Sequence, residues 1–225
     1  QMCIRDSSTI GLYLISLVNG ERTFSYWRNK SAATFLGQNV DDVENAMKKQ
    51  DMIYFSGITL AILDQNSREN LFSCLKSARR AGKKIAFDPN LRPKLWNDKK
   101  EMCDVIMAGA NLSDIILPSF EDEATWFSDA DPMSTLARYQ NVGAETVVVK
   151  NAGDPVSFWS QHGTGTYLVE SVEKIIDSTA AGDSFNAEIL VGLLRDIPLA
   201  DAINNGANLA KKVLMGQGAL VKISI

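Results

Sequence analysis

Residues 177–183, with the sequence DSTAAGD, contain the residue types that transfer of a charged group requires. Ala180, Ala181 and Gly182 lead into a predicted helix. The first N–H groups of a helix lack intrahelical acceptors, so these small side chains leave them open to an anion. Asp183 would lie in the first turn, where its carboxylate could accept a proton from an attacking hydroxyl. The alternative is an ordinary helix-capping acid that stabilises the helix by roughly 0.5–2 kcal/mol, and spacing alone favours this alternative.

Three further segments place polar and charged residues directly after short apolar runs. They are residues 88–92 (DPNLR), 118–123 (PSFEDE) and 150–154 (KNAGD). The apolar runs are typical of buried strands, and in open α/β sheets ligands bind at the carboxyl ends of the strands. We therefore expect these three segments to join residues 177–183 at one edge of a sheet.

The elements that must position these segments alternate along the chain. Strands are predicted at residues 52–56, 84–88, 114–118 and 145–150. Amphipathic helices are predicted at residues 40–50, 62–81, 95–110, 132–142, 180–195 and 199–215. Strands that are apolar on both faces and separated by helices indicate an α/β fold, with a mostly parallel sheet flanked by helices on both faces.

Two hairpins are also predicted. Residues 12–18 and 21–28 flank Asn19-Gly20, which supplies the two positive φ angles of a type I′ turn. Residues 157–160 and 166–169 flank a glycine-rich turn that contains His162. Because His162 is the only histidine, a Ser-His-Asp hydrolase would depend on it, and its polar surroundings favour a turn residue instead.

Composition favours one globular domain over residues 1–225, with 45% hydrophobic and 22% charged residues. The net charge of -4, without long blocks of one sign, argues against nucleic acid and anionic membranes as partners. Cys3, Cys74 and Cys103 form no C-x-x-C pair, which fits a reducing, cytoplasmic compartment. No apolar run approaches the roughly 20 residues that a membrane-spanning helix needs.

The segment DSTAAGDSFNAEILVGLL resembles the second signature, D-T-x-[GA]-A-G-D-x-F, of the ribokinase-like (phosphofructokinase-B) carbohydrate kinases. Within that family, FDPNLRPKLW at 87–96, TFSYWR at 23–28 and LPSFEDE at 117–123 most resemble the 2-keto-3-deoxygluconate kinases. The resemblance extends over about residues 10–219. It implies a ribokinase-like fold in which residues 10–28 form part of a β lid.

The resemblance implies that Asp183 removes the proton of a sugar's primary hydroxyl while that oxygen attacks the γ-phosphate of ATP bound with Mg²⁺. The backbone amides of Ala181, Gly182 and Asp183, in the turn that Ala180 begins, would stabilise the transferred group. No Walker-type loop occurs in the sequence. Gly163-Thr164-Gly165 begins a G-x-G pattern but reads more simply as a turn than as a dinucleotide site.

For the substrate, the resemblance implies that Tyr26 and Arg28 contact the sugar acid and that Arg92 lies between substrate and γ-phosphate. Guanidinium groups bind carboxylates through two parallel hydrogen bonds, so two arginines suit a keto-sugar acid. In the simpler reading Arg28 is an exposed charge at a strand end, and Arg92 caps a turn beside Pro93. The tight turn and the polar Asn90 beside it favour a functional Arg92, whereas for Arg28 both interpretations stay open.

For the nucleotide, residues 150–155 resemble a K-x-G-x-x-G loop beside the ATP phosphates and ribose, with Pro155 where glycine is expected. The nucleotide contacts expected from this loop are Lys150, Asn151, Gly153 and Asp154. The alternative is a simple β-turn without a ligand, which Gly153-Asp154 would form in any case. Further nucleotide candidates are Asn90, Arg92, Asn205 and Asn208, of which the last two are as well explained as solvated helix residues. Mg²⁺ would be held through water by Ser119 with either Asp122 or Glu123, which could equally be acids at a helix N-terminus.

Members of the family are longer at the amino end and carry a glycine-rich first signature that this sequence lacks. We therefore expect a C-terminal piece without the first strands and part of the lid, aggregation-prone and without measurable sugar-acid phosphorylation on its own. Its first seven residues read as non-native.

The expected partners are a small sugar acid and ATP, with a homo-oligomer as a further option. A kinase of a neutral sugar such as fructose or ribose is the first alternative, and the paired arginines argue against it. A non-catalytic relative is the second alternative, and the presence of Asp183 and Gly182 argues against that.

Overall fold

The computed structural model describes residues 9–18 and 21–223. The chain divides into two compact units, one from Gln1–Ile85 with Leu91–Leu112 and one from Ala86–Asn90 with Ser113–Ile225. The prediction of one domain over residues 1–225 stays a prediction. None of the helices in the described ranges is long and apolar enough to cross a membrane.

The first unit begins with the predicted hairpin, strands β1 (Leu12–Val18) and β2 (Glu21–Trp27). The two strands are antiparallel, with Leu12 opposite Trp27 and Val18 opposite Glu21, which confirms the register that a two-residue turn requires. The turn itself, Asn19-Gly20, lies outside the described residues, as do the first seven residues.

The rest of the first unit alternates helices and strands. In order, its elements are a 3₁₀ turn (Ala32–Phe35), α1 (Val40–Lys48), β3 (Met52–Ser56), α2 (Gly57–Ile62), α3 (Gln65–Arg80), the start of β4 (Lys84–Asp88), a 3₁₀ turn (Pro93–Leu95) and α4 (Lys99–Asn111). The single helix predicted at residues 62–81 is wrong at its start. Asp64 accepts a hydrogen bond from the Ser67 N–H at 2.7 Å, so it caps a new helix and separates α3 from α2.

The second unit contains the end of β4 and the remaining elements. These are β5 (Ile115–Ile116), α5 (Phe120–Phe127), α6 (Pro132–Asn141), β6 (Thr146–Val149), β7 (Val156–Ser160), β8 (Gly163–Tyr167), α7 (Ala181–Leu194) and α8 (Leu199–Leu214). Helix α5 was not predicted as an element, although the acidic residues of its first turn are typical of a helix N-terminus.

In the part of the chain that the structure describes, six strands form one sheet in the order β3-β4-β5-β6-β7-β8. Strands β4, β5 and β6 are parallel, whereas β7 and β8 continue the sheet in antiparallel fashion. Val147, Val148 and Val149 of β6 are completely buried, as expected for a parallel strand that is covered on both faces. The predicted α/β class with a mostly parallel sheet is confirmed.

The second hairpin is tighter than predicted. Its turn consists of Gln161 and His162, and β8 already begins at Gly163. Gly163-Thr164-Gly165 is therefore strand and not turn, which corrects the sequence interpretation. Gly165 lies opposite Phe158, where an added Cβ would come within 2.5 Å of the aromatic ring, so packing and not turn geometry explains this glycine.

Helix α7 is held closely against α8 within the second unit. An added Cβ at Gly206 would lie 3.1 Å from Phe185, and one at Gly192 would lie 2.7 Å from Ala202. Phe185 and Ile189 are buried on the same helix. This contact anchors the helix that begins with the motif of residues 177–183.

Candidate active site

Helix α7 begins directly at the predicted anion-binding turn. Ala180 precedes the helix in the left-handed conformation, with φ of 63°, and its carbonyl accepts hydrogen bonds from the Ser184 N–H at 2.9 Å and the Ser184 hydroxyl at 2.8 Å. The Ala181 N–H donates to the Ser178 carbonyl at 3.3 Å. The Ala181 amide, predicted to face the transferred group, is therefore bonded within the turn instead. The amides of Gly182 and Asp183 precede the first helical hydrogen bond, a position at which backbone N–H groups lack an intrahelical acceptor.

Space and exposure at this turn suit a reacting group. Asp183 and Gly182 are exposed, and an added Cβ at Gly182 would meet no atom within 4 Å. A carboxylate and open backbone amides therefore lie together on the exposed first turn of a helix whose next turn is buried through Phe185.

Asp177 holds the backbone that leads into the turn at the start of α7. One of its oxygens accepts hydrogen bonds from the Thr179 N–H at 2.9 Å and the Thr179 hydroxyl at 2.7 Å, and the other accepts from the Gly218 N–H at 3.0 Å. Both carboxylate oxygens are thus used for local backbone geometry.

A buried polar cluster, which we name the Lys150 cluster, connects three separate segments of the second unit: Asp88, Lys150 and Asn186. The Lys150 ammonium lies 3.0 Å from Oδ1 of Asn186 and 3.5 Å from Oδ2 of Asp88, and the amide nitrogen of Asn186 donates to the same Asp88 oxygen at 2.8 Å. Asp88 ends β4, Lys150 follows β6 and Asn186 lies one turn into α7. Asp88 is 4% and Asn186 1% exposed, so the interaction is shielded from water.

The backbone of Lys150 brings in a fourth segment. Its N–H donates to the Pro118 carbonyl at 2.9 Å and its carbonyl accepts from the Phe120 N–H at 2.8 Å. The start of α5 is therefore held beside the end of β6.

After Lys150 the chain forms a turn. The Asp154 N–H donates to the Asn151 carbonyl at 2.8 Å, and Ala152 adopts the left-handed conformation with φ of 48°. Gly153 and Asp154 are exposed, and Asn151 is half-buried. The β-turn anticipated from the sequence is present, and its exposed side leaves room for a ligand.

The two acidic residues considered for Mg²⁺ have different surroundings. Glu123 is completely buried; Nη2 of Arg138 donates to its carboxylate at 2.6 Å and the Tyr139 hydroxyl lies 3.0 Å away. Burial raises the pKa of Glu123 to about 7 although Arg138 and Tyr139 favour its ionised form. Asp122 is half-buried in the first turn of α5, with its N–H donating to the carbonyl of Ser119, the residue before the helix.

In the described parts of the chain, residues 9–18 and 21–223, no three His, Cys, Asp or Glu side chains come together as a metal cage. Mg²⁺ in phosphoryl-transfer sites is commonly held by one or two carboxylates together with substrate phosphates.

The two asparagines considered for the adenine, Asn205 and Asn208, lie on α8. Asn205 is exposed, and Asn208 donates to Oδ1 of Asn204 at 3.2 Å. The same Asn204 oxygen accepts a hydrogen bond from the Tyr167 hydroxyl of β8. Asn204, absent from the sequence prediction, thus links α8 to β8.

The turn after β4 contains two strained residues. Asn90, with φ of 35°, and Arg92, with φ of 46°, both occupy the left-handed region, which costs roughly 1–2 kcal/mol per non-glycine residue. Between them Leu91 is completely buried, and the indole N–H of Trp96 donates to the Leu91 carbonyl at 2.8 Å. This anchoring leaves Arg92 exposed immediately before Pro93.

The two hairpin candidates belong to the first unit. The backbone of Tyr26, in β2, pairs with that of Tyr13, in β1, and the side chain of Tyr26 is not among those that the structure describes. Arg28 is half-buried just after β2, and its carbonyl accepts a hydrogen bond from the Ser31 N–H at 3.1 Å.

Within the second unit, the ends of β4 and β6 and the start of α7 therefore meet, as predicted from polar residues after apolar runs. Sequence reasoning did not select Asp88 or Asn186 as site residues. The available signal was their position directly after a buried strand and inside the motif of α7.

Residues 1–223 match the family described as pfkB family carbohydrate kinase. A 2-dehydro-3-deoxygluconokinase of Haemophilus influenzae is 38% identical over 221 residues, which are 96% of this chain and 70% of that protein.

Solved structures agree in fold. A PfkB protein from Polaromonas is 26% identical with a TM-score of 0.79, over 92% of this chain and 67% of that one. An Escherichia coli protein assigned as ribokinase II, solved in complex with ATP and Mg²⁺, has a TM-score of 0.78 at 22% identity, over 91% of this chain and 65% of that one. The chain belongs to the pfkB family of carbohydrate kinases.

Proposed function

We propose that this protein transfers the γ-phosphate of ATP to the primary hydroxyl of 2-keto-3-deoxygluconate, forming the 6-phosphate. The observation that carries the proposal is the exposed Asp183 carboxylate beside the open Gly182 turn at the start of α7. Family membership and the identity to a 2-dehydro-3-deoxygluconokinase support both the reaction and the acceptor.

Asp183 is the general base of the proposed reaction. Its exposed carboxylate accepts the proton of the sugar hydroxyl as that oxygen attacks phosphorus, and the bond from phosphorus to the ADP oxygen breaks. Because proton transfer accompanies attack, the sugar oxygen becomes a nucleophile without existing as a free alkoxide.

The start of α7 stabilises the charge on the transferred group. The amides of Gly182 and Asp183 are directed out of the first turn, where the helix dipole also favours negative charge. Ala180 and Ala181 complete the turn with side chains small enough to admit a phosphoryl group.

The nucleotide lies, in this proposal, along the turn after β6. Asn151, Gly153 and Asp154 border the phosphates and ribose, and the exposed asparagines Asn205 and Asn208 are on the adenine side. Asn90 and Arg92 approach the γ-phosphate from the turn after β4.

Mg²⁺, when bound, neutralises phosphate charge during transfer. Ser119 and Asp122 at the start of α5 fit a water-mediated ion that is held chiefly by the nucleotide. Glu123 fits less well because Arg138 and Tyr139 already occupy its buried carboxylate.

The sugar acid is recognised through its carboxylate and hydroxyl groups. Arg92 supplies a planar guanidinium for two parallel hydrogen bonds, and Arg28 and Tyr26 contact the same substrate from the hairpin. These contacts distinguish a keto-sugar acid from a neutral hexose, which has no carboxylate.

A coupled assay of ADP release with full-length protein, MgATP and one acceptor at a time tests the proposal. We expect kcat/KM for 2-keto-3-deoxygluconate to exceed that for fructose and ribose by at least about 10-fold, the value of one charge-assisted hydrogen bond. A higher kcat/KM for either neutral sugar would establish the alternative acceptor class. ATP binding without phosphorylation of any of the three would support the non-catalytic alternative.

A further inference from the structure

The Lys150 cluster has a geometry that the proposed nucleotide contact does not explain. The Lys150 ammonium is directed toward Asp88 and Asn186, and its side chain is only 13% exposed. A lysine that binds phosphate as a point charge needs its ammonium at the ligand, whereas here the ammonium is bonded inside the unit.

The cluster joins segments that are far apart in sequence. Asp88 and Asn186 are 98 positions apart, and Lys150 is 62 positions from Asp88 and 36 from Asn186. Asn186 follows Asp183 by three positions on α7, so the cluster acts on the same helical turn that presents the carboxylate and the open amides.

The chemistry of the cluster makes its geometry specific. Asn186 donates to Asp88 through its amide nitrogen and accepts from Lys150 through its oxygen, so both ends of the side chain are engaged. A buried ion pair adds little net stability compared with apolar residues of similar size. Removal of one partner is nevertheless strongly destabilising, because the remaining buried charge is left unpaired. Such a pair is therefore better suited to hold three segments in a defined position than to increase the stability of the fold.

We propose that Asp88, Lys150 and Asn186 are positioning residues that set the first turn of α7 relative to the ends of β4 and β6 for phosphoryl transfer. The proposal rests on the proposed function, because the step that it tunes is attack by the hydroxyl that Asp183 deprotonates. It reassigns Lys150 from the nucleotide to the support of the catalytic turn.

A double-mutant cycle in the full-length protein tests this role. Lys150→Met keeps the side-chain length without the charge, Asp88→Asn keeps the shape, and the double variant removes both charges. We expect Lys150→Met to lower kcat roughly 10–100-fold, as for a misplacement of about 1 Å. The dissociation constant of ATP should change less than about threefold.

The double variant separates positioning from stability. Removal of both charges should restore much of the thermal stability that Lys150→Met loses, because no buried charge remains unpaired. We expect kcat to stay low, since Asn186 still lacks its Lys150 donor. Recovery of kcat together with stability would overturn the proposal and leave a structural role only. A loss of ATP affinity in Lys150→Met without a fall in kcat would overturn it in favour of direct nucleotide binding.

Thr135→Val is the matched control. The Thr135 hydroxyl donates to Asp129 at 2.7 Å in a different buried cluster of the same unit, so the variant is destabilised without touching α7. We expect its kcat to equal that of the wild type at a temperature well below unfolding. A fall like that of Lys150→Met would show that any destabilisation suffices and would overturn the proposal.

Amide hydrogen exchange gives a readout that does not require activity. Lys150→Met should speed exchange in a peptide covering residues 181–187, and Thr135→Val should not. Unchanged exchange in Lys150→Met would overturn the positioning role. Faster exchange with no phosphorylation of 2-keto-3-deoxygluconate by the wild type would instead contradict the proposed substrate and keep the positioning of α7.

Discussion

The Glu123 carboxylate lies 2.6 Å from the guanidinium of Arg138, and the same guanidinium nitrogen lies 2.6 Å from Asp129. Two acids therefore share one base in the interior of the second unit. Because Asp129 already balances the charge of Arg138, an ionised Glu123 would leave a net negative charge away from water. Burial accordingly raises the pKa of Glu123 to about 7, above the ordinary glutamate value of 4.5.

This relationship predicts a pH dependence of stability. A carboxyl group whose pKa is higher in the folded than in the unfolded state binds its proton more tightly when folded. Its contribution is complete below about pH 4.5 and is lost as pH rises through about 7. We expect the free energy of unfolding, measured with urea, to fall between pH 5 and 8. Glu123→Gln, which cannot ionise, should flatten this decline, and an equal decline in that variant would contradict the prediction.

Asp183→Asn should lower kcat at least about 10²-fold, which is the lower end of the range for loss of a general base. The amide cannot take the hydroxyl proton, but the helix start and its amides stay in place. ATP affinity, measured by calorimetry, should change little. Asp201→Asn provides the control because Asp201 is also an exposed first-turn aspartate, on α8. Equal rates for Asp183→Asn and wild type would remove Asp183 from the reaction.

Arg92→Lys should reduce kcat/KM for the keto-sugar acid by roughly 10-fold or more, because an ammonium cannot form two parallel hydrogen bonds with a carboxylate. Lysine has the same Cβ, so the left-handed strain at this position is unchanged. Arg195→Lys, at an exposed residue after α7, is the control. An unchanged substrate preference in Arg92→Lys would exclude Arg92 from carboxylate recognition.

Two glycines with nearly equal backbone angles should tolerate alanine differently. Gly37 has φ of 89° and Gly82 has φ of 83°, so alanine costs about 1–2 kcal/mol of left-handed strain at either position. At Gly82 a Cβ meets nothing within 4 Å, whereas at Gly37 it would collide with the carbonyl oxygen of Ser67. We expect Gly37→Ala to lose about 1–3 kcal/mol more than Gly82→Ala in urea unfolding. Similar losses would show that the backbone near Ser67 adjusts freely.

Local patterns in the sequence were sufficient for most elements and for the location of the candidate site. Alternating apolar runs and helical periodicity depend on near neighbours, so β3, β4 and α7 are found close to their predicted bounds. The start of α7 was recognisable because small residues followed by Asp183 form a local motif. The helix predicted at residues 62–81 is wrong at its start because apolar periodicity does not detect a capping residue. Asp64 caps α3 and so separates it from α2.

Tertiary structure decided which polar groups meet and which are buried. The sequence offers Asp122 and Glu123 equally as Mg²⁺ ligands, but neighbouring residues on a helix point about 100° apart, and the Glu123 carboxylate is the one buried against Arg138 and Tyr139. The partnership of Asp88 with Asn186 crosses 98 positions and depends on the packing of β4 beside the start of α7 in the second unit. The family, the order of elements and the catalytic candidate were therefore accessible from local sequence, since each depends on residues that are close together along the chain. The charge state of Glu123 and the partners of Lys150 depend on burial and long-range contact, which exist only after the chain has folded.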